Sequence, residues 1–308
     1  MLKVGISSCK WYLDDQPLES LSTIRDSGFE AIDFNLSPYF STTTANKEGI
    51  YPNLFDQSTE QILSFFEPLK EALKATGITI SQIHAPYPGW FEGNDALNGY
   101  LQMVMDKAFA VCQYLGCPAI VVHPVEGKTS EEEWAFNHAI YQSMIPLVKK
   151  YPGVKCCLEN LFVHHKGRII EGRLANADEI CRLCDLLNEE CGDDCFGICF
   201  DVGHAILTGQ NIKEYLKKLG HRLTILHIHD NNGQADQHLM PYSCVTNNKR
   251  DTVCDWEEFV QGLREISYRG VLSFETDLCL KIYPLAVRTE VLRLISAIGH
   301  HWAAEIEA

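Results

Sequence analysis

Positive charge is scarce in this 308-residue chain: 26 Lys and Arg stand against 41 Asp and Glu, for a formal charge of −15. Proteins that bind long nucleic acids draw most of their affinity from cations that neutralise phosphates, and no basic run occurs here, so a long nucleic acid is not an expected partner. No apolar run is long enough to span a bilayer, and the N-terminus, MLKVGISS, begins as a strand rather than as a basic stretch followed by an apolar one. A cytoplasmic protein with no membrane partner is expected. Paired sulfur is a further expected absence. The 13 cysteines are odd in number, and Cys112, Cys156, Cys157 and Cys199 lie inside apolar segments where the residue behaves as a small hydrophobe, so reduced thiols are expected. Cys191 and Cys195 are the pair to check first. No glycine-rich phosphate loop follows the first strand, which disfavours a doubly wound nucleotide-binding sheet.

What is present is an ordinary globular composition, 46% hydrophobic and 22% charged, in a chain long enough for one large core. Apolar strand signals alternate with amphipathic helices along its whole length. Strands are predicted at Lys3–Ser7, Ala31–Asn35, Thr79–His84, Ala119–His123, Lys155–Asn160, Gly197–Asp201, Thr224–Asp230 and Gly270–Thr276. Helices are predicted at about Leu18–Ser27, Gln57–Thr76, Ala96–Leu115, Glu131–Lys150, Asp178–Leu187, Ile212–Leu219, Trp256–Ile266 and Leu285–Ile298, with Leu36–Asn53 read as a long loop over a site. Eight such alternations predict a single α/β domain over residues 1–308, a (β/α)8 barrel whose site gathers at the C-terminal ends of its strands.

The densest chemistry lies in TILHIHDNNGQADQH, Thr224–His238. His227 and His229 leave one face of a strand, and Asp236 and His238 repeat the spacing after a turn. Solvated histidines on an edge strand are one explanation; a divalent metal that offsets the desolvation of a polar cluster is the other. Other predicted strand ends carry His84, His123, Glu159, Asp201 with His204, and Glu275. Each alone has a local explanation, such as a core histidine, a cap or an ion pair. Together they converge on one barrel mouth, where a single metal site accounts for all of them.

The residues resemble the xylose-isomerase-like barrels, a group that includes endonuclease IV together with sugar isomerases and epimerases. The resemblance rests on HAPY at His84, VVHP at His123, LEN at Glu159, FDVGHA at Asp201 and His204, LHIHD at His227, DQH at Asp236 and His238, and SFE at Glu275. It implies three groups of metal ligands: His84, His123 and Glu159; Glu159, Asp201, His227 and Glu275; and His204, Asp236 and His238. One to three ions are implied, with zinc or manganese suited to the imidazoles and magnesium or cobalt as alternatives. The leading function it implies is a sugar or sugar-phosphate isomerase or epimerase, in which a divalent ion polarises a carbonyl and Glu159 and Glu275 move a proton, with His204 touching the substrate. The alternative is an endonuclease IV-like phosphodiesterase, in which clustered ions activate water. A carbohydrate-binding protein without turnover is a third class.

Scarcity of Arg and Lys in the candidate cover segments, where Ser37–Asn53 and Pro86–Asn98 hold only Lys47, favours a small carbohydrate as substrate. Further candidates for contacting it are His229, Trp11, Lys166 and Arg168, while Tyr87, Trp90 and Phe91 either stack on a sugar or pack. Asp230 is a candidate for fixing an imidazole tautomer, and His164 and His165 read as surface residues. One departure from the family pattern is HLMPYSCVTNNKRDTVCDW, which runs longer than the usual turn before Asp255 and Trp256 and holds Lys249 and Arg250. Self-association is compatible with these features.

Overall fold

The computed structural model describes residues 1–9, 11–126, 130–246 and 252–308, so Lys249 and Arg250 lie outside the described residues. Eight parallel strands surround one axis: β1 (Val4–Ser7), β2 (Ala31–Asn35), β3 (Thr79–His84), β4 (Ala119–Val122), β5 (Lys155–Glu159), β8 (Phe196–Asp201), β9 (Leu223–His227) and β10 (Leu272–Phe274). Their order, β10-β1-β2-β3-β4-β5-β8-β9, is that of the chain, as expected when each crossover is right-handed and adjacent. The ring closes where Ile228 N donates to Ser273 O at 2.9 Å and Glu275 N donates to Ile228 O at 3.0 Å. This is the (β/α)8 barrel that the alternation predicts.

Parity along the strands decides what faces the lumen. Ala119 and Val121, Cys157, Cys199 and Ile225 form a small inner core of their own, apart from the large outer core between strands and helices. Two residues further along the same faces come His123, Glu159, Asp201 and His227. The metal-capable side chains are thus the continuation of the inner core toward the C-terminal mouth.

The outer layer differs from expectation where proline intervenes. The predicted helix at Gln57–Thr76 is two helices, α3 (Thr59–Phe65) and α4 (Glu67–Thr76), because Pro68 cannot donate to the preceding turn. Pro146 likewise divides α6 (Ser130–Gln142) from α7 (Ile145–Lys150). The predicted loop after β2 contains a helix, α2 (Thr42–Glu48), capped by Ser41 Oγ accepting from Thr44 N. An antiparallel hairpin, β6 (Phe162–His165) and β7 (Arg168–Glu171), projects after β5 and has no counterpart in the expected elements. The last helix, α13 (Leu285–Glu307), runs beyond its predicted end. All thirteen cysteines are unpaired thiols, Cys191 and Cys195 included. Among the described residues, no helix is long and apolar enough to cross a membrane.

Candidate metal centre

Four histidines enter the mouth with their rear nitrogens set against acceptors. His84 Nδ1 lies 3.1 Å from Ala85 O, His204 Nδ1 2.8 Å from Asn160 O, and His238 Nδ1 3.1 Å from Glu275 O. A carbonyl only accepts, so each Nδ1 carries hydrogen and each Nε2 is the atom left to face the site. His227 is held in the reverse sense: Nε2 lies 3.1 Å from Asp33 Oδ2, and Nδ1 faces the site. Fixing one ring nitrogen in this way orients the other as a metal ligand.

The forward atoms meet in overlapping groups. His84 Nε2 and His123 Nε2 face each other at 2.8 Å, and Glu159 Oε2 lies 2.7 Å from the latter and 4.0 Å from the former. Deeper in the lumen, His227 Nδ1 meets Glu159 Oε1 at 3.1 Å, Glu275 Oε2 at 3.6 Å and Asp201 Oδ2 at 3.8 Å. Nearer the rim, Asp236 Oδ2 lies 3.0 Å from His238 Nε2 and 3.7 Å from His204 Nε2. Glu159 joins the first two groups through its two oxygens. The nine residues of the implied ligand set therefore stand together.

The donor chemistry fits divalent cations. Asp236 Oδ1 is buried without a hydrogen-bond partner, and triads of ligand atoms lie within 4.8 Å of one another around Glu159, His227 and His229. Such a gathering of carboxylates and imidazole lone pairs is costly unless a cation or protons occupy it. Burial alone raises the Glu159 carboxyl, yet His123 and His227 hold it well below the usual range. Burial pushes Glu275 up to about 8, although His227 and His238 oppose it. Burial and then His123 push His84 down to about 4. Burial also disfavours charge on His204 and His238, but Asp201 and Asp236 for the former, and Glu275 and Asp236 for the latter, hold each up at about 10.

His229 is wholly buried, with Nε2 3.1 Å from Asp201 Oδ1 and its ring stacked on His238 at 4.1 Å. That geometry packs it against Asp201 and His238, with whose donor atoms its own forms metal-capable triads. It also demands Gly203, since a Cβ there would sit 1.8 Å from His229 Cε1. The Asp230 carboxylate is engaged by backbone instead, accepting from Asn231 N at 2.9 Å and Cys244 N at 3.1 Å. The tautomer-fixing carboxylate is instead Asp33, itself 3.3 Å from Gln82 Nε2. Asn160, also absent from the expected set, spans β5 and β8 by accepting from Asp201 N at 2.8 Å and donating to Asp201 O at 2.9 Å.

The remaining candidates are more dispersed. Trp11 is partly buried after β1, with an Nε1 that has no acceptor. Tyr87 packs its ring 3.9 Å from that of His123, beside a cavity of about 190 Å³ whose walls include Trp90, Phe91 and Arg173. Lys166 and Arg168 are exposed at the hairpin turn, as are His164 and His165 on the strand before it. The base of the hairpin touches the site through Phe162, whose ring lies 5.1 Å from that of His204.

A family model described as a xylose isomerase-like TIM barrel matches residues 21–284. The chain belongs to this family. Among solved xylose isomerase-like barrels, a D-tagatose 3-epimerase-like protein superposes with a TM-score of 0.68 at 21% identity, covering 98% of this chain and 100% of that one. A 3-keto-D-glucoside 4-epimerase from E. coli superposes with a TM-score of 0.69 at 15% identity and the same coverage of the two chains. In sequence, inosose dehydratase of Clostridium perfringens strain 13 is 24% identical over 299 residues, 89% of this chain and 83% of that protein. Membership agrees with the motifs at the strand ends.

Proposed function

We propose that this barrel is a divalent-metal-dependent isomerase or epimerase of small sugars, working in the cytoplasm with zinc or manganese held chiefly by Glu159, Asp201, His227 and Glu275. The observation that carries the reading is that Glu159 and Glu275, from strands on different sides of the lumen, both reach His227 Nδ1, at 3.1 and 3.6 Å. Two carboxylates at one centre can take a proton from a carbon and return it from another direction. Without an ion, their surroundings set them apart: His123 and His227 hold Glu159 ionised, while burial raises Glu275 to about 8. With an ion bound, both carboxylates would stand ionised as its ligands, and each could exchange a proton with the substrate carbon. A bound divalent ion would polarise the substrate carbonyl and lower the cost of removing the adjacent proton. Asp33 and His229 keep the ligands aligned, and the sugar-processing names of the relatives support the substrate class.

Solvent exchange tests this. Protein loaded with manganese or zinc is expected to introduce deuterium from D2O into a ketose, and Glu159→Gln and Glu275→Gln are each expected to slow exchange by roughly 10²–10⁴-fold. A panel of ketoses and aldoses that takes up no deuterium would sink the proposal.

One observation favours a second reading. His204, Asp236 and His238 meet above the central group as a third cluster, which a single-ion isomerase does not need. Phosphodiester hydrolysis that stops with Asp236→Ala or His238→Ala, in a protein inert toward ketoses, would establish the hydrolase instead.

A further inference from the structure

One inward-facing position beneath the carboxylates carries sulfur. Cys199 precedes Asp201 by two residues on β8, so both face the lumen, and the register of β5 with β8 sets Cys199 beside Glu159. Its Sγ lies 3.5 Å from His227 Nδ1, the nitrogen toward which Glu159, Asp201 and Glu275 converge. Glu159, Cys199 and His227 offer three donor atoms that all lie within 4.8 Å of one another, every one of them on a buried residue. The separation matters. A tetrahedral zinc ion, with bonds of about 2.3 Å to sulfur and about 2.0–2.1 Å to nitrogen, sets those two ligand atoms about 3.5 Å apart. Cys157 is the comparison within the same inner layer: it pairs with Gly197, one level further from the mouth, and among the described residues joins no such group.

We propose that Cys199 is a sulfur ligand of the central ion, so that the centre mixes thiolate, imidazole and carboxylate and prefers zinc, cobalt(II) or cadmium to manganese and magnesium. This rests on reading the cluster as a metal centre. Soft thiolate selects thiophilic ions, whereas carboxylates alone suit manganese and magnesium. The sulfur–metal bond forms as the thiol proton leaves to solvent, with no change of oxidation state.

Cobalt(II) added to the full-length, chelator-stripped protein is the test. Wild-type protein and Cys157→Ser are expected to show a sulfur-to-cobalt charge-transfer band in the near ultraviolet, and Cys199→Ser to lack it. The preference for cadmium over manganese is expected to fall at least roughly tenfold in Cys199→Ser. Cobalt ligand-field bands without charge transfer in the wild type, or a charge-transfer band that survives in Cys199→Ser, would overturn the assignment and leave the metal centre standing. A wild type that takes up no cobalt would overturn both. Should Cys199→Ser fail to fold, X-ray absorption at zinc in wild-type protein and Cys157→Ser decides: sulfur in the coordination shell of both supports the assignment, and a shell of nitrogen and oxygen alone overturns it.

Discussion

Asp33 sets the orientation of the central imidazole. Its carboxylate holds His227 Nε2 at 3.1 Å, and Gln82 holds the carboxylate in turn while also donating to Leu226 O at 3.2 Å. Without that partner, His227 can turn or exchange its tautomer. Asp33→Ala is therefore expected to weaken metal binding about 10–100-fold while the fold persists, as read by competition against a chromophoric chelator. Unchanged affinity would show that His227 is oriented by packing alone. Most of the metal-capable residues were legible in the sequence, because they end apolar strands and a barrel brings strand ends together. Asp33 was not, since an acid inside AIDFN acquires its role only from a ring that another strand delivers. His229 was legible as polar and inward, but its burial behind Asp201 depends on Gly203, whose lack of a side chain makes room for it.

At the level of elements, the barrel wall depends on how closely α13 approaches it. A Cβ at Gly299 would meet Val4 Cγ1 at 2.5 Å and Phe274 Cε2 at 2.8 Å, so the helix backbone lies directly against β1 and β10. Gly299→Ala is expected to cost about 1–3 kcal/mol through overpacking, measured by urea unfolding, with metal affinity preserved. A neutral or stabilising result would mean that the helix slides outward freely. Beyond Gly299, Trp302 stacks on Phe274 at 5.8 Å and donates from Nε1 to Tyr242 Oη at 3.0 Å, which explains why the helix continues past its predicted end. All eight barrel strands were legible from periodicity. The hairpin was harder to see, because its strands are short and half polar. Its two-residue turn needs positive φ at Lys166 and Gly167, 49° and 76°, and only the glycine advertises that.

For the whole molecule, protonation of the mouth sets a pH window. His84 is held neutral in the folded chain, down to about pH 4, whereas an unfolded histidine takes up a proton near 6.5. Stability from this group is lost as pH falls from about 6.5 to 4, on the order of 3 kcal/mol, and the depressed carboxyls of Glu159 and Asp236 add to the loss at the acid end. His204 and His238 act oppositely. Raised to about 10, they contribute stability that is complete below about 6.5 and lost as pH rises through 10. Urea midpoints measured in chelator are expected to peak near neutrality, with the acid limb shallower in His84→Gln; an unaltered acid limb would assign it to other groups. The same molecule anchors its departure from the family pattern. Asp230 exchanges backbone bonds with Leu239, N to O at 2.7 Å and back at 3.0 Å, and its buried carboxylate grips Cys244 N. The longer segment is thus pinned at its root by a residue just past β9 whose carboxylate accepts from backbone amides. A segment fastened in this way takes its footing from the backbone bonds of the barrel, whatever occupies the mouth.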